Sequence, residues 1–86
     1  MYNILYKQSV AKELRKLPKS LLSVVVSKIQ LLAKNPRPKG SVKLSGATKL
    51  YRIRYSDYRI IYSINDGELV IIVIKVAHRK DVYRDF

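Results

Sequence analysis

Three reactive side chains follow the apolar run that ends at Val76, namely the imidazole of His78, the guanidinium of Arg79 and the phenol of Tyr83. A guanidinium group binds phosphate oxygens bidentately and stays charged at physiological pH. An imidazole titrates near neutrality and can donate or accept a proton. This combination suits cleavage of RNA, in which the ribose 2′-OH attacks the neighbouring phosphorus.

Such a cleavage needs a base at the 2′-OH, cations around the phosphate oxygens and an acid at the departing 5′-oxygen. We expect Arg59 and Arg79 to supply the cations. A phenol with a pKa of about 10 is almost wholly protonated at neutral pH, so a base at Tyr83 needs nearby arginines to favour the ionised form. His78 is the alternative acid or base, and it is equally compatible with a structural role. The sequence leaves the choice between Tyr83 and His78 open.

A second group of cations precedes this one. Arg52 and Arg54 lie two residues apart in an alternating segment, so they share one face of a strand, with Arg59 across the following turn. We expect them to hold RNA phosphates together with Lys43 and Lys49, although an exposed arginine on a strand is often simply solvated. Six tyrosines in strand-like segments favour sheet packing over base stacking, and these are Tyr2, Tyr6, Tyr51, Tyr55, Tyr58 and Tyr62.

The composition favours a nucleic acid as the partner. Eighteen Lys and Arg against six Asp and Glu give a formal net charge of +12, which disfavours the compact state unless an anionic partner offsets it. A merely basic soluble protein is the alternative, and membrane binding is disfavoured because the apolar helix faces are needed for the core. With no cysteine and one histidine, neither a disulfide nor a metal site is expected, and no cofactor is implied. No signal peptide or span is evident, so we expect the cytoplasm.

The hydrophobic periodicity predicts the elements that position these side chains. Helical spacing indicates a first helix capped by Ser9, with Lys12 and Glu13 on its solvated face, and a second helix that begins after Pro18. The nearly continuous apolar segment from Leu69 to Val76 predicts a strand buried on both faces at the centre of the sheet. The predicted elements are a strand over 2–6, helices over 9–17 and 20–34, a loop over 35–47, strands over 48–55, 58–64 and 69–76, and a short helix or arm over 79–86.

This order predicts one α+β domain over residues 1–86, in which a strand and a helical hairpin pack on a mostly antiparallel sheet whose other face is partly open. Four stretches together resemble the RelE toxin family, and the resemblance spans nearly the whole chain: Lys43-Leu44-Ser45-Gly46, Leu50-Tyr51-Arg52-Ile53-Arg54, Asp57-Tyr58-Arg59-Ile60-Ile61-Tyr62 and His78-Arg79-Lys80-Asp81-Val82-Tyr83.

The resemblance implies a microbial-RNase-like RelE fold and an mRNA interferase of a type II toxin–antitoxin pair. It implies cleavage of mRNA in the ribosomal A site, with a RelB-like antitoxin, mRNA and the ribosome with its 16S rRNA as partners. By position, Arg59 and Arg79 stabilise the transition state, Tyr83 takes part in proton transfer or base stacking, and Arg52 and Arg54 hold phosphate. In the best-studied branch the last two positions are lysines. Because arginine does not readily release its proton, Arg54 cannot serve as a base here.

Two other functions remain compatible with the sequence. A related branch resembles this fold but poisons DNA gyrase, and its members tend to lack the arginine and tyrosine set that this chain carries. A non-catalytic RNA-binding or ribosome-binding protein would use the same cations without chemistry. We favour the nuclease because Arg59, Arg79 and Tyr83 occur together.

Overall fold

The computed structural model describes residues 1–44 and 49–83. Its two helices pack on one face of a five-stranded sheet, which confirms the α+β class. The sheet order is β1-β5-β4-β3-β2, with β1 parallel to β5 and the other neighbours antiparallel. In chain order the elements are β1 (Asn3–Tyr6), α1 (Gln8–Arg15), α2 (Lys19–Leu31), β2 (Val42–Lys43), β3 (Leu50–Tyr55), β4 (Tyr58–Asn65) and β5 (Val70–His78).

The core lies between the helices and the sheet. The helices contribute residues at helical spacing, such as Val10 from α1 and Val25 and Ile29 from α2, and all three are fully buried. Alternate residues of β4, including Ile60 and Tyr62, meet them from the sheet. Within the described ranges no helix is long and apolar enough to cross a membrane.

Both helices differ from the predicted bounds. Lys7 is the N-cap of α1 and makes no side-chain capping bond, so the prediction that Ser9 caps this helix is wrong. The Lys7 N–H donates to the Val73 carbonyl, which keeps the chain extended up to that point and starts the helix immediately afterwards. Pro18 is the N-cap of α2, while α1 already ends at Arg15. After Leu31 the chain continues in tighter turns, in which the N–H groups of Leu32, Ala33 and Lys34 donate to carbonyls three residues earlier.

One strand lies within the segment predicted as a loop. Val42 and Lys43 form β2, which pairs with Arg52 and Tyr51 at the edge of the sheet. Two residues are too few to show an alternating pattern, so the sequence carries no signal for this strand. Strand β3 begins at Leu50, and residues 45–48, which include part of the predicted strand and of the first family motif, lie outside the described residues.

Strand β5 contains a bulge that changes which side chains face the helices. Tyr62 pairs with Val73 and Ile61 pairs with Lys75, so Ile74 has no partner on β4. An extra residue in one strand exchanges the two faces for every residue beyond it. The prediction that this strand is buried on both faces at the centre is wrong in two respects, because β4 is central and Ile72 is 38% exposed.

The chain after β5 forms hydrogen-bonded turns. The N–H groups of Asp81 and Val82 both donate to the His78 carbonyl. Residues 79–83 are not helical, so the described part of the predicted final segment is an ordered arm, and residues 84–86 lie outside the described residues.

Candidate active site on the open face of the sheet

The predicted arginines lie on the face of the sheet that the helices leave open. Tyr51, Ile53 and Tyr55 pack against the core, so the intervening Arg52 and Arg54 project from the opposite face. In the register of β3 and β4, Arg54 pairs directly with Arg59. Residues opposed in an antiparallel pair share a face, so three guanidinium groups belong to one surface. The sequence predicted this shared face from the alternation of Arg52 and Arg54 and from the turn before Arg59.

The arm over residues 79–83 brings Tyr83 to the same surface. Arg52 donates from Nη1 to the Tyr83 hydroxyl over 3.4 Å. Because β4 separates β3 from β5, the arm extends past β4 to make this contact. Val82 and Ile61 are both fully buried, yet neither belongs to the cluster under the helices. The burial of Val82 therefore arises outside the core under the helices.

The remaining two cations meet at the turn between β3 and β4. Arg59 donates from Nη1 to the carbonyls of Ser56 and Tyr58, over 3.2 and 3.1 Å. The backbone N–H of Arg79 donates to the Asp57 carbonyl over 2.6 Å, and its Nε lies 3.8 Å from Asp57 Oδ1. Both arginines are therefore restrained by the same four-residue turn.

Arg52 and Arg54 have hydrogen-bonding capacity that the described residues do not fill. The Nε atom of Arg52 is buried and has no hydrogen-bond partner among them. Arg54 is exposed and forms no hydrogen bond or ion pair with any described residue. An unpaired buried donor is costly, and an anionic oxygen is the partner that a guanidinium binds best.

His78 lies on the other side of the sheet. It pairs with Tyr58, whose ring packs against the core, and the two rings meet edge to face with centroids 5.6 Å apart. Its Nδ1 accepts a hydrogen bond from the Lys80 N–H over 3.2 Å. The bulge at Ile74 is the reason, because without it His78 would share a face with Arg59. The structure therefore does not bring this imidazole to the arginines.

Lys43 and Lys49 are also absent from the group. Lys43 pairs with Tyr51 and so belongs to the face that the helices cover. Lys49 lies near Asp66, whose charge it stabilises, and the hairpin there is at the end of β4 opposite to the arginine-rich turn. Both lysines are exposed, and neither is placed with Arg52 and Arg54.

Two residues that support this surface were not singled out from the sequence. Asp57 restrains Arg79 through its backbone and side chain, and its place in the Asp-Tyr-Arg hairpin is the signal that could have identified it. Val82 is an apolar residue within a polar tail, which is the pattern expected of an anchoring side chain.

A separate polar cluster ties the N-terminus to two loops. Arg37 forms an ion pair with Asp66 at 2.8 Å and lies 5.1 Å from the centroid of the Tyr51 ring, while Tyr2 donates to Asp66 over 2.6 Å. The hydrogen bond from Arg37, with that from Tyr2, lowers the pKa of Asp66 to about 2. Burial raises the pKa of Tyr62 to about 12, and its hydroxyl donates to the Pro36 carbonyl. This cluster fixes the loop that leads into β2.

The open face has the composition expected of a phosphate site. Arg52, Arg54 and Arg59 share this face with the Tyr83 hydroxyl, and Arg79 lies at the adjoining turn. The described residues contain no group of three His, Cys, Asp or Glu side chains that could hold a metal ion. Guanidinium groups can stabilise charge on a phosphate directly, and a phenol can exchange a proton with a hydroxyl. We refer to the part of the surface formed by these five residues as the cleft, and they are Arg52, Arg54, Arg59, Arg79 and Tyr83.

Comparison with known proteins gives consistent results. The family described as ParE toxin of type II toxin-antitoxin system, parDE, matches residues 4–83. The chain is 30% identical to the putative toxin RelE1 of Methanocaldococcus jannaschii, over 98% of this chain and 97% of that protein. It is 31% identical to the mRNA interferase toxin RelE of Escherichia coli strain K12, over 98% and 92%. The archaeal RelE-RelB complex from Pyrococcus horikoshii OT3 superposes with a TM-score of 0.81 at 34% identity, covering 91% of this chain and 94% of that one.

Proposed function

The chain belongs to the RelE and ParE family of type II toxin–antitoxin toxins, and from this membership we propose that it is a metal-independent endoribonuclease that cuts mRNA in the ribosomal A site. A relative that is 31% identical over nearly the whole chain carries the name mRNA interferase, which supports this activity. We assign residues 1–86 to one toxin domain that acts in the cytoplasm, where ribosomes translate.

The observation that carries the proposal is the contact between Arg52 and Tyr83 across β4, at 3.4 Å. It joins a phenol to the surface that bears Arg54 and Arg59, which supports a site in which cations and a proton-transfer group act on one phosphate. Electrostatic binding of RNA requires cations alone. The hydroxyl of Tyr83 beside them is a group that catalysis requires and binding does not.

In this mechanism Arg52 and Arg54 hold the phosphate backbone, and Arg59 and Arg79 stabilise the charge that gathers on the phosphorus-bound oxygens. Tyr83, in its phenolate form, accepts the proton of the 2′-OH, the bond from the 2′-oxygen to phosphorus forms, and the bond to the 5′-oxygen breaks. Water protonates the departing 5′-oxygen, so the products are a 2′,3′-cyclic phosphate and a 5′-hydroxyl. Arginines poised on developing charge contribute in the same way as an oxyanion hole.

Primer extension on mRNA that is translated, and on the same mRNA without ribosomes, tests the proposal. We expect cuts within the reading frame of translated message only, and loss of these cuts in Arg79→Ala. Cuts in free RNA would contradict the dependence on the ribosome, and absence of cuts in both would contradict the nuclease.

The partners follow from the same family. Solved relatives form RelE–RelB complexes, so we propose a RelB-like antitoxin for this chain, together with mRNA, the ribosome and its 16S rRNA. A net charge of +12 suits an acidic partner.

A ParE-like activity is the second candidate, because the matching family is described by the ParE toxin. Gyrase poisoning would leave double-strand breaks in DNA and would inhibit supercoiling by purified gyrase. It would also survive replacement of Tyr83. We expect neither gyrase inhibition nor DNA breaks.

A further inference from the structure

A pocket of about 420 Å³ lies at the edge of the sheet beside β3. It exists because β2 pairs only with Tyr51 and Arg52, so β3 forms the edge of the sheet beyond that point. The chain before β2 turns away, with the Ser41 N–H donating to the Pro38 carbonyl over 2.9 Å. The loop over 38–40, the end of α2 and β3 therefore surround a space that no strand fills.

The pocket is lined by four cations from three separate segments. Lys28 comes from α2, Lys39 from the loop, and Arg52 and Arg54 from β3, and none of the described lining residues is acidic. Lys28 is restrained there, since its Nζ lies 5.5 Å from the centroid of the Tyr55 ring. Four like charges around one space repel one another unless an anion offsets them.

The remaining walls are apolar. Leu31 lines the pocket although it is 65% exposed, and Pro38 and Ile53 lie beside it. Small-molecule sites typically have volumes of about 300–1,000 Å³ and combine apolar walls with a few polar groups. The space is thus suited to a ligand that has both an anionic group and a flat apolar group. A nucleotide has both, in its phosphate and its base.

The pocket is continuous with the cleft through two shared residues. Arg52 lines the pocket and also donates to Tyr83, and its buried Nε has no partner among the described residues. Arg54 lines the pocket and pairs with Arg59 in the register of the sheet. A strand of RNA whose scissile phosphate lies in the cleft can therefore place its next nucleotide at the pocket.

We propose that this pocket is a subsite for the nucleotide that adjoins the scissile linkage. Lys28 and Lys39 bind its phosphate, and its base or ribose packs against Leu31 and Pro38. The inference rests on the proposed function, because a flanking nucleotide exists only if RNA occupies the cleft.

The test measures binding of a non-cleavable 2′-O-methyl RNA trinucleotide in three forms: without a terminal phosphate, with a 5′-phosphate and with a 3′-phosphate. The variant Lys28→Met with Lys39→Met removes both ammonium groups and keeps the apolar stems. The matched control is Lys12→Met with Lys19→Met, which removes two exposed lysines of the helices outside the pocket. Thermal unfolding confirms that all proteins fold.

We expect one phosphorylated form to bind the wild type about tenfold more tightly than the unphosphorylated form, since hydrogen bonds to charged groups are strong. The pocket variant should lose this gain and the control should keep it. On translated mRNA the pocket variant should raise KM with little change in kcat. The amide signal of Gly40, a pocket residue, should shift in NMR spectra with that form alone.

Equal binding of all three forms by the wild type would overturn the inference, as would equal gains in the pocket variant and the wild type. If the pocket variant instead loses affinity only for a decaglutamate peptide, the pocket is a protein-docking site and the inference is wrong. A wild type that cuts no message overturns the proposed function itself. Cleavage by the wild type with no phosphate-dependent binding overturns the subsite alone.

Discussion

At the scale of single residues, Tyr83 has two candidate roles on RNA, base stacking and proton transfer. Only proton transfer requires its hydroxyl. The ring is 48% exposed, so it is accessible to a base, while its hydroxyl accepts a hydrogen bond from Arg52. Stacking requires only the ring, whereas proton transfer requires the oxygen. The proposed mechanism uses the oxygen.

Tyr83→Phe is therefore predicted to lower kcat on translated mRNA by about a hundredfold or more, the usual contribution of general acid–base catalysis. The phenylalanine ring keeps the contact area, so affinity for the ribosome should change little. Rapid-quench cleavage assays and ribosome pelleting provide the two measurements. A variant that cuts at the wild-type rate would leave Tyr83 only a stacking role.

His78 is predicted to be dispensable for the reaction, because the bulge at Ile74 directs it to the face opposite Arg59. His78→Asn keeps a side-chain acceptor, Oδ1, at the position from which Nδ1 accepts the Lys80 N–H bond. We expect the variant to retain both the wild-type kcat and the wild-type dependence of kcat on pH. Loss of a titration step near neutrality would show that the imidazole reaches the reacting atoms after all.

At the scale of elements, α1 protects the part of β5 that β1 does not cover. Strand β1 ends at Tyr6, which pairs with Val73, and beyond it the Val76 N–H donates to Glu13 Oε1 over 3.0 Å. Glu13 was predicted to lie on the solvated face of α1, and this is wrong, because its carboxylate takes the place of a neighbouring strand. A side chain that occupies a free strand edge also discourages pairing with another chain.

Glu13→Ala is predicted to lower the free energy of unfolding by about 1–3 kcal/mol, since it leaves the half-buried Val76 N–H without a partner. Glu13→Gln retains a carbonyl oxygen that can accept the same bond, although it loses the ion pair with Lys75. We expect most of the stability to remain in this control. Urea unfolding monitored by circular dichroism measures both, and equal losses would assign the effect to the ion pair.

The helices and strands β3 and β4 could be predicted because their side chains alternate with clear periods, and β5 could be predicted because its apolar residues form a nearly continuous run. The pairing of Arg54 with Arg59 followed from the short turn at Ser56 and Asp57. The face of His78 could not be predicted, because the apolar residues that precede it show no alternation that would reveal a bulge. The contact of Tyr83 with Arg52 could not be predicted either, because it joins residues 31 apart and depends on the path of the arm.

At the scale of the whole molecule, the ion pair of Arg37 with Asp66 links segments that are far apart in sequence. Tyr2 of the N-terminal segment, the loop before β2 and the turn after β4 meet at one carboxylate. The pKa of Asp66 is lowered from 3.8 to about 2, so the folded protein binds a proton at this group less readily than the unfolded chain.

This shift sets a pH dependence of stability. The contribution of Asp66 is fully present above its unfolded pKa of 3.8 and is lost as the pH falls through about 2. We predict that Asp66→Asn is less stable than the wild type at neutral pH and that the difference narrows between pH 4 and pH 2. Thermal unfolding at a series of pH values measures it. A difference that stays constant over this window would mean that the charge of Asp66 does not contribute.

The parallel pairing of β1 with β5 has a consequence for how the toxin is made. Asn3 pairs with Val70 and Tyr6 with Val73, so the first strand of the sheet has no hydrogen-bonding neighbour until the last strand has been translated. Contacts of such long sequence separation form late and slowly. The sheet therefore cannot be completed until residues 70–73 have been synthesised, so its first strand waits for a partner while all the intervening elements are made.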